Sequence, residues 1–485
     1  MTRITRRRMA AFVAGVPLAA ACGAPPSQTA SAAPPATGPA TPPPPAAPQV
    51  QLTAAEQQMI DDMAAEFELQ DNWQGYGADV TPTTSPPEVL RKGMSATVSD
   101  TYMRLRKGED YFHWPDDKDS IDYHHIIAMG ATVKTGTGSA STALDETAFD
   151  LTPAVLKRIA AANSFDIPSG AGARKVVFGL RGCVIDGDGG RAMGPSVRLK
   201  EAVPDHNHYR CVIGVWDVAN GKLAAFKGST VPLEVHLAVY QRWLVERAKD
   251  PKNPTWNLSA CMIPQGLHTK KVETMTMGSG IVCPVTLKQL SAMPVLRERD
   301  PTKSTLSLES TWEPPAPEPG YNKCHIHASI NAKNGNPDYQ FSSCGCQTID
   351  GWYVDGKAKG EIDQFNAAMA FENANGLFKS KDNGVVFQFM LVTGREARLH
   401  AAGADEKAMR RVRIGSSTKA ADDVIVKLNK LVGAGEDKKT FDHDSMLKLI
   451  KVQSDKKRYD GVKPDGIFGP VTAASKQFGD VVFPT

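Results

Sequence analysis

Hydrophobic positions along the chain fall into three textures. In the first, Thr53-Ala54-Ala55-Glu56 has the form of a capping box. Met59, Ile60, Met63 and Phe67 follow at helical spacing and predict a helix. Thr152-Pro153 supplies an N-cap and a first-turn proline for a second helix carrying Val155, Leu156 and Ile159. Between these helices, residues 70–150 are polar and broken by Pro and Gly. Tyr111-Phe112-His113-Trp114 reads there as a local core, and His124-His125 as structural histidines.

The second texture begins at residue 175 and consists of short β-rich runs. Residues 175–185 form one, ending at Asp186-Gly187-Asp188-Gly189-Gly190. That turn has the acidic look of a calcium loop, but Val197 stands where the closing acid is needed. Runs at 211–217 and 222–226 flank Asn220-Gly221, a two-residue hairpin signal. A helical stretch is expected at 237–248, with strands resuming at 263–275 and 324–330. Another helix is expected at 362–371 and an apolar strand at 385–392. No repeat of fixed period is visible.

The third texture, from about residue 400, is charged and helical. Val424, Ile425, Leu428 and Leu431 make one amphipathic stripe, and Met446, Leu447, Leu449 and Ile450 another. Asp465-Gly466-Ile467-Phe468-Gly469-Pro470 then leads into a final helix with Thr472 near its start.

Composition narrows the class. Hydrophobic residues make up 41% and charged residues 22%, ordinary values for a folded protein, so wholesale disorder is excluded. Lys+Arg 56 against Asp+Glu 53 is too even for a nucleic-acid binder, and no nucleic-acid partner is expected. Past residue 22 nothing is apolar enough to span a bilayer.

The N-terminal end reads as a targeting segment. Arg6-Arg7-Arg8 precedes an apolar run over 9–21, shorter than a spanning helix and typical of an export signal. Ala19-Ala20-Ala21-Cys22 resembles a bacterial lipoprotein cleavage site, with Cys22 as the lipidated residue. Residues 23–50, dominated by Ala, Pro, Ser and Thr, form a semi-rigid linker; at about 3.1 Å per residue it reaches roughly 80 Å. The expectation is an exported protein of the cell envelope, held to a membrane by a lipid anchor. Seven further cysteines then face an oxidising compartment. Six of them can pair in one of fifteen ways, or some remain reduced and fill the core.

The chemistry is expected at two segments. His327 lies on a predicted strand, and Ser343-Cys344-Gly345-Cys346-Gln347 lies on a turn further along. A cysteine becomes an acyl-transfer nucleophile when a histidine takes its proton and backbone N–H groups receive the oxyanion. Ile326-His327-Ala328 with Ser343-x-Gly345-Cys346 resembles the signature of the L,D-transpeptidase catalytic domain family. Val215-Trp216-Asp217 through Asn220-Gly221-Lys222 and Pro264-Gln265-Gly266 fall in the family's order. The resemblance covers roughly 176–395. Gln347 and Thr348 depart from it, standing where a β-branched residue and an arginine are usual, and a helix is inserted before Pro264.

The resemblance implies an α+β chain with a mostly-β catalytic domain over 176–399. A small all-α module over 400–485 resembles a three-helix peptidoglycan-binding domain at 465–472. Residues 1–22 are the export signal and 51–175 a region of unassigned role. The implied function is cysteine acyl transfer on peptidoglycan stem peptides, as a transpeptidase or carboxypeptidase. Cys346 would be the nucleophile, His327 the base, and the amides of Gly345 and Cys346 the oxyanion hole, with Ser343 supporting the turn. His325, Gln347 and Gly266 would bind substrate. Thiolate chemistry needs no metal or cofactor. If Cys344 is paired, Cys324 is its expected partner. Two alternatives stand beside this: a non-catalytic peptidoglycan-binding lipoprotein, and a zinc-dependent cell-wall peptidase using His325-x-His327 or His206-x-His208.

Overall fold

The hairpin at Asn220-Gly221 shows how local chemistry seeds the fold. Gly221 takes φ 60°, and Asp217 accepts the backbone N–H of Asn220 at 3.0 Å. The strands on either side pair from Asp217↔Lys222 to Cys211↔Gly228, so the loop holds residues 218–221 rather than two. The structure, a computed structural model, describes residues 114–168, 175–206, 208–232, 261–276, 282–290, 293–298, 306–313, 324–329, 343, 345–354, 357–371, 382–421, 423–455, 464–475, 478–479 and 481–483. The export signal, Cys22, the linker, the helix at 53–67, Tyr111-Phe112-His113, the helix at 237–248 and Cys344 lie outside the described residues.

Eight strands close into a barrel: β1 (Val176–Arg181), β2 (Cys211–Asp217), β3 (Lys222–Ser229), β4 (Gly266–Thr276), β5 (Val282–Gln289), β6 (His325–Ala328), β7 (Gln347–Ile349) and β8 (Val386–Thr393). Their order around the barrel is β5-β6-β7-β3-β2-β1-β8-β4. The β6/β7 and β8/β1 pairs are parallel and the others antiparallel. The expected run at 175–185 is broken at Gly182, whose φ of 71° ends β1 before a short strand Cys183–Ile185.

Period-two alternation divides the apolar side chains between two cores. Val177, Val215, Phe226, Val272, Leu287, Ile326, Ile349 and Phe389 face one core, which helix α2 (Glu361–Met369) joins through Ile362 and Phe365. Phe178, Val212, Leu223 and Met390, their neighbours along the strands, face the other. Helix α1 (Pro153–Ala162), capped by Thr152 Oγ1 accepting from Val155 at 3.2 Å, packs Val155, Leu156 and Ile159 into that second core. The described part of the region left without a role is therefore built onto the barrel, and one continuous core crosses residue 175.

The expected boundary at residue 399 falls inside helix α3 (Gly394–Ala401). Beyond it, α4 (Val424–Leu431) and α5 (His443–Gln453) share a core with Phe441, Phe468 and Phe478. Leu431 lies exposed, while Leu428 and Val432 on either side of it are buried in that core. The final helix is a single turn, Pro470–Ala473. A main-chain bond ties this end to the barrel, Leu267 N–H donating to Ile414 O at 2.8 Å, and within this end Val412 exchanges two bonds with Phe468. No described helix is long and apolar enough to cross a membrane.

A buried ionic network binds the three sequence regions. Arg181 of β1 pairs with Asp122 at 2.8 Å, and Gln265 Nε2 donates to Asp122 at 2.7 Å. Gln265 Oε1 accepts from Arg413, whose other nitrogen reaches Glu396 at 3.1 Å. The carboxylates at Asp186 are likewise taken by protein cations, Arg198 at 3.1 Å and Lys200 at 2.8 Å, rather than arranged as a loop of oxygen ligands.

Candidate active site

The turn before β7 is built by Ser343. Its hydroxyl donates to Cys346 O at 2.6 Å and accepts the N–H of Gly345 at 3.0 Å, closing the chain on itself. Gly345 adopts φ 137°, a region only glycine tolerates well, and a Cβ there would sit 2.5 Å from Cys261 O. These contacts present Cys346 at the mouth of β7, fully buried. The Gly345 N–H, expected in the oxyanion hole, here donates to Ser343 Oγ.

Strand register selects the histidine. The parallel β6/β7 pairing aligns Ile326 with Gln347 and His327 with Thr348. One step back along both strands sets His325 beside Cys346. His327, the expected base, stands opposite Thr348, and its Nδ1 lies 2.7 Å from Ala328 O. His325, expected as a substrate binder, is the histidine that the register brings to this thiol. Burial pushes the His325 imidazole toward neutrality, but the Cys346 thiol and the Glu273 carboxylate together outweigh it and raise its pKa.

Behind His325 stands an acid. Glu273 of β4 lies 3.5 Å from His325 Nε2 and 2.8 Å from Lys288 Nζ. Burial raises the pKa of Glu273, but His325 and Lys288 prevail and bring it down to about 2. The ring nitrogens complete no hydrogen bond of ordinary geometry, so the line Cys346–His325–Glu273 is aligned but not drawn tight. Such looseness is common where no substrate is bound. Glu273 and Lys288 retain some exposure, so this end of the line meets solvent.

A lysine closes the site from the opposite face of the sheet. Lys270, two residues before the core residue Val272, is fully buried. Its ammonium donates to Cys324 O and Gln347 Oε1, both at 2.9 Å, and lies 5.4 Å from the centre of the Phe389 ring. No carboxylate pairs with it among the described residues. Burial lowers its pKa to about 8, opposed by the Cys324 and Cys346 thiols. A buried ammonium without a carboxylate is costly unless something near it takes negative charge, and those thiols are the groups that can.

Two other expected binders, Gln347 and Gly266, have structural contacts of their own. Gln347 is spent at both ends, accepting from Lys270 and donating to Gly345 O at 3.0 Å, so it anchors the turn. Gly266, φ 152°, lies where β4 crosses the Ile414 backbone, and a Cβ would meet Ile414 O at 2.5 Å. It lets the two backbones approach closely there. His268 bonds Pro264 O at 2.9 Å and lies 6.2 Å from Phe389, centre to centre, with burial pushing its pKa down to about 3. His206 is similarly held by Pro232 O at 2.8 Å, and His208 by Asp205 at 2.8 Å. Among the described residues no group of three or more His, Cys, Asp or Glu is arranged to hold a metal ion. The six described cysteines are all buried, and no disulfide joins any two of them.

Glu273 and Lys270 are absent from the sequence reading. An inward lysine in the period-two pattern of residues 267–273 is the signal that marks Lys270; nothing local marks Glu273. Comparisons of the chain with family models, with curated proteins and with solved structures find no match.

Proposed function

We propose that the chain is a cell-wall enzyme performing cysteine acyl transfer on peptidoglycan stem peptides, as an L,D-transpeptidase or L,D-carboxypeptidase. The observation that supports this reading is the β6/β7 register, which sets the His325 imidazole beside the Cys346 thiol, while Glu273 of β4 lies 3.5 Å from His325 Nε2; the three would serve as base, nucleophile and orienting group. His325 takes the Cys346 proton, and the thiolate attacks the carbonyl of the third stem residue. The terminal residue leaves as an amine, receiving the proton from His325. A neighbouring stem amine, or water, then attacks the thioester, returning the proton to the imidazole and releasing the thiolate. Lys270 holds positive charge near the thiolate throughout.

The same reading assigns residues 400–485 to peptidoglycan binding, through Asp465-Gly466-Ile467-Phe468-Gly469-Pro470. It also assigns export, with lipidation at Cys22, to the N-terminal segment. The test is intact-mass analysis of the mature protein after incubation with tetrapeptide-stem muropeptides. The expected result is an added stem acyl group, absent in Cys346→Ala and in His325→Ala but retained in His327→Ala. A non-catalytic wall-binding protein is the second reading, favoured by the complete burial of Cys346 and by the engaged Gly345 N–H. It predicts no adduct and sacculus binding indifferent to Cys346→Ala.

A further inference from the structure

Strand register lays four side chains in a row across one face of the sheet. Lys271 of β4 pairs with Lys288 of β5, and Lys288 pairs in turn with His325 of β6. His325 stands beside Cys346, so the row runs Lys271–Lys288–His325–Cys346 over neighbouring strands. Val272, Leu287 and Ile326, the next residues along those strands, belong to the core, which turns the row to the face away from it. At about 4.8 Å between strands, the Lys288 backbone lies roughly 10 Å from that of Cys346. Two cations at one end of the row share one acid. Glu273, on the same face of β4, lies 2.8 Å from Lys288 Nζ, 4.0 Å from Lys271 Nζ and 3.5 Å from His325 Nε2. Among the described residues it is the only carboxylate that either lysine meets, so one positive charge is left over. Unlike the buried thiol and imidazole, the lysines reach solvent, Lys271 with 39% and Lys288 with 24% of the side chain exposed.

We propose that Lys271 and Lys288 bind the terminal carboxylate of the stem peptide, and so select the acyl donor by its chain end. The proposal rests on the acyl-transfer reading of Cys346. The residue after the scissile carbonyl is one residue length away, about 3.8 Å between Cα atoms. A donor held at Cys346 therefore brings that residue's carboxylate within reach of the cationic end of the row. The carboxylate meets the leftover positive charge there, and Glu273 keeps its own pairing with Lys288. An internal peptide bond offers a neutral amide at the same point, and the ammonium charge gains little from it. The lysines thereby restrict the scissile bond to the last one of the stem. Because both are partly exposed, salt screens the attraction, with a Debye length of about 8 Å at physiological ionic strength.

The test uses the full chain carrying Cys346→Ala, which holds the donor without consuming it. Calorimetry compares a tetrapeptide stem bearing a free terminal carboxylate with its terminal carboxamide. The free acid is expected to bind about fivefold more tightly, the scale of partly exposed ion pairs, with the preference shrinking as salt is raised. Lys288→Gln in the same background is expected to remove most of the preference, and Lys288→Arg to keep it. Equal affinity for acid and amide overturns the proposal. So does an absence of binding by the acid, or a preference that survives Lys271→Gln and Lys288→Gln together. Acyl-enzyme formation by the chain with Cys346 intact reports separately on the reading beneath. An adduct formed equally from acid and amide leaves acyl transfer standing and removes the lysines from donor selection. A charge-dependent binding preference with no adduct keeps the carboxylate site and removes the acyl transfer.

Discussion

Two buried polar regions of this molecule follow different rules. Where the N-terminal segment, the barrel and the C-terminal segment meet, four buried arginines are answered by carboxylates, Arg181 by Asp122, Arg413 by Glu396, and Arg395 and Arg398 by Glu201, while Arg411 is held by the carbonyls of His125, Ala408 and Arg410. Around Cys346 the fully buried Lys270 has no carboxylate among the described residues, and the groups of negative charge that face it are the sulfurs of Cys324 and Cys346. Fixed opposite charges at close range neutralise one another permanently and hold three chain segments in register. A lysine facing thiols is neutralised only when a thiol ionises. The first region is built to stay as it is, and the second to change its protonation state. Burial alone does not separate structure from chemistry; the kind of counter-charge does.

Breaking the matched region has the largest expected effect. Asp122→Ala strands the Arg181 guanidinium in the core and is expected to cost about 3–5 kcal/mol in chemical denaturation, with little direct effect on the Cys346 environment. Next comes Asp465, a buried acid held by Gln453 at 3.0 Å and by the N–H of Ile467 at 2.9 Å, with no cation in direct contact. Burial raises its pKa from 3.8 to about 6. A carboxyl raised in the folded state stabilises the fold fully below its unfolded pKa and loses that contribution as pH rises through the folded value. Relative to Asp465→Asn, the wild type is therefore expected to lose up to about 3 kcal/mol between pH 4 and pH 7, read from denaturation midpoints across that window.

Gly345→Ala strikes the reactive region. Its Cβ meets the Cys261 carbonyl at 2.5 Å in a backbone conformation alanine avoids, so a loss of about 2–3 kcal/mol is expected, with displacement of Cys346. Spectral perturbation reaching His325 but not Asp122 is the NMR signature. The smallest effect sharpens the comparison most. Lys270→Met is expected to slow alkylation of Cys346 at neutral pH about tenfold, or ~1.4 kcal/mol, and to move the pH midpoint of that reaction upward. An unchanged midpoint removes Lys270 from the thiolate's electrostatics.

Much of the fold was legible because its signals are local. The Thr152-Pro153 cap, the Asn220-Gly221 turn and the apolar runs at 211–217 and 385–392 depend on neighbours a few residues away, and helix and strands stand where those signals point. Cys346, Ser343 and Gly345 were likewise legible as a sharp turn before a strand. The choice of histidine was not. His325 and His327 share a face of β6, and a shift of two residues in the parallel pairing with β7 exchanges their positions relative to Cys346 without altering either strand's own pattern. Glu273 and Lys270 come to the thiol from β4 only because the sheet closes into a barrel. The arginine–carboxylate network joins segments hundreds of residues apart. Periodicity, caps and turns thus fixed which elements exist and which residues are chemically capable. Register and closure, which depend on long-range pairing that leaves no local trace, decided which of those residues face one another.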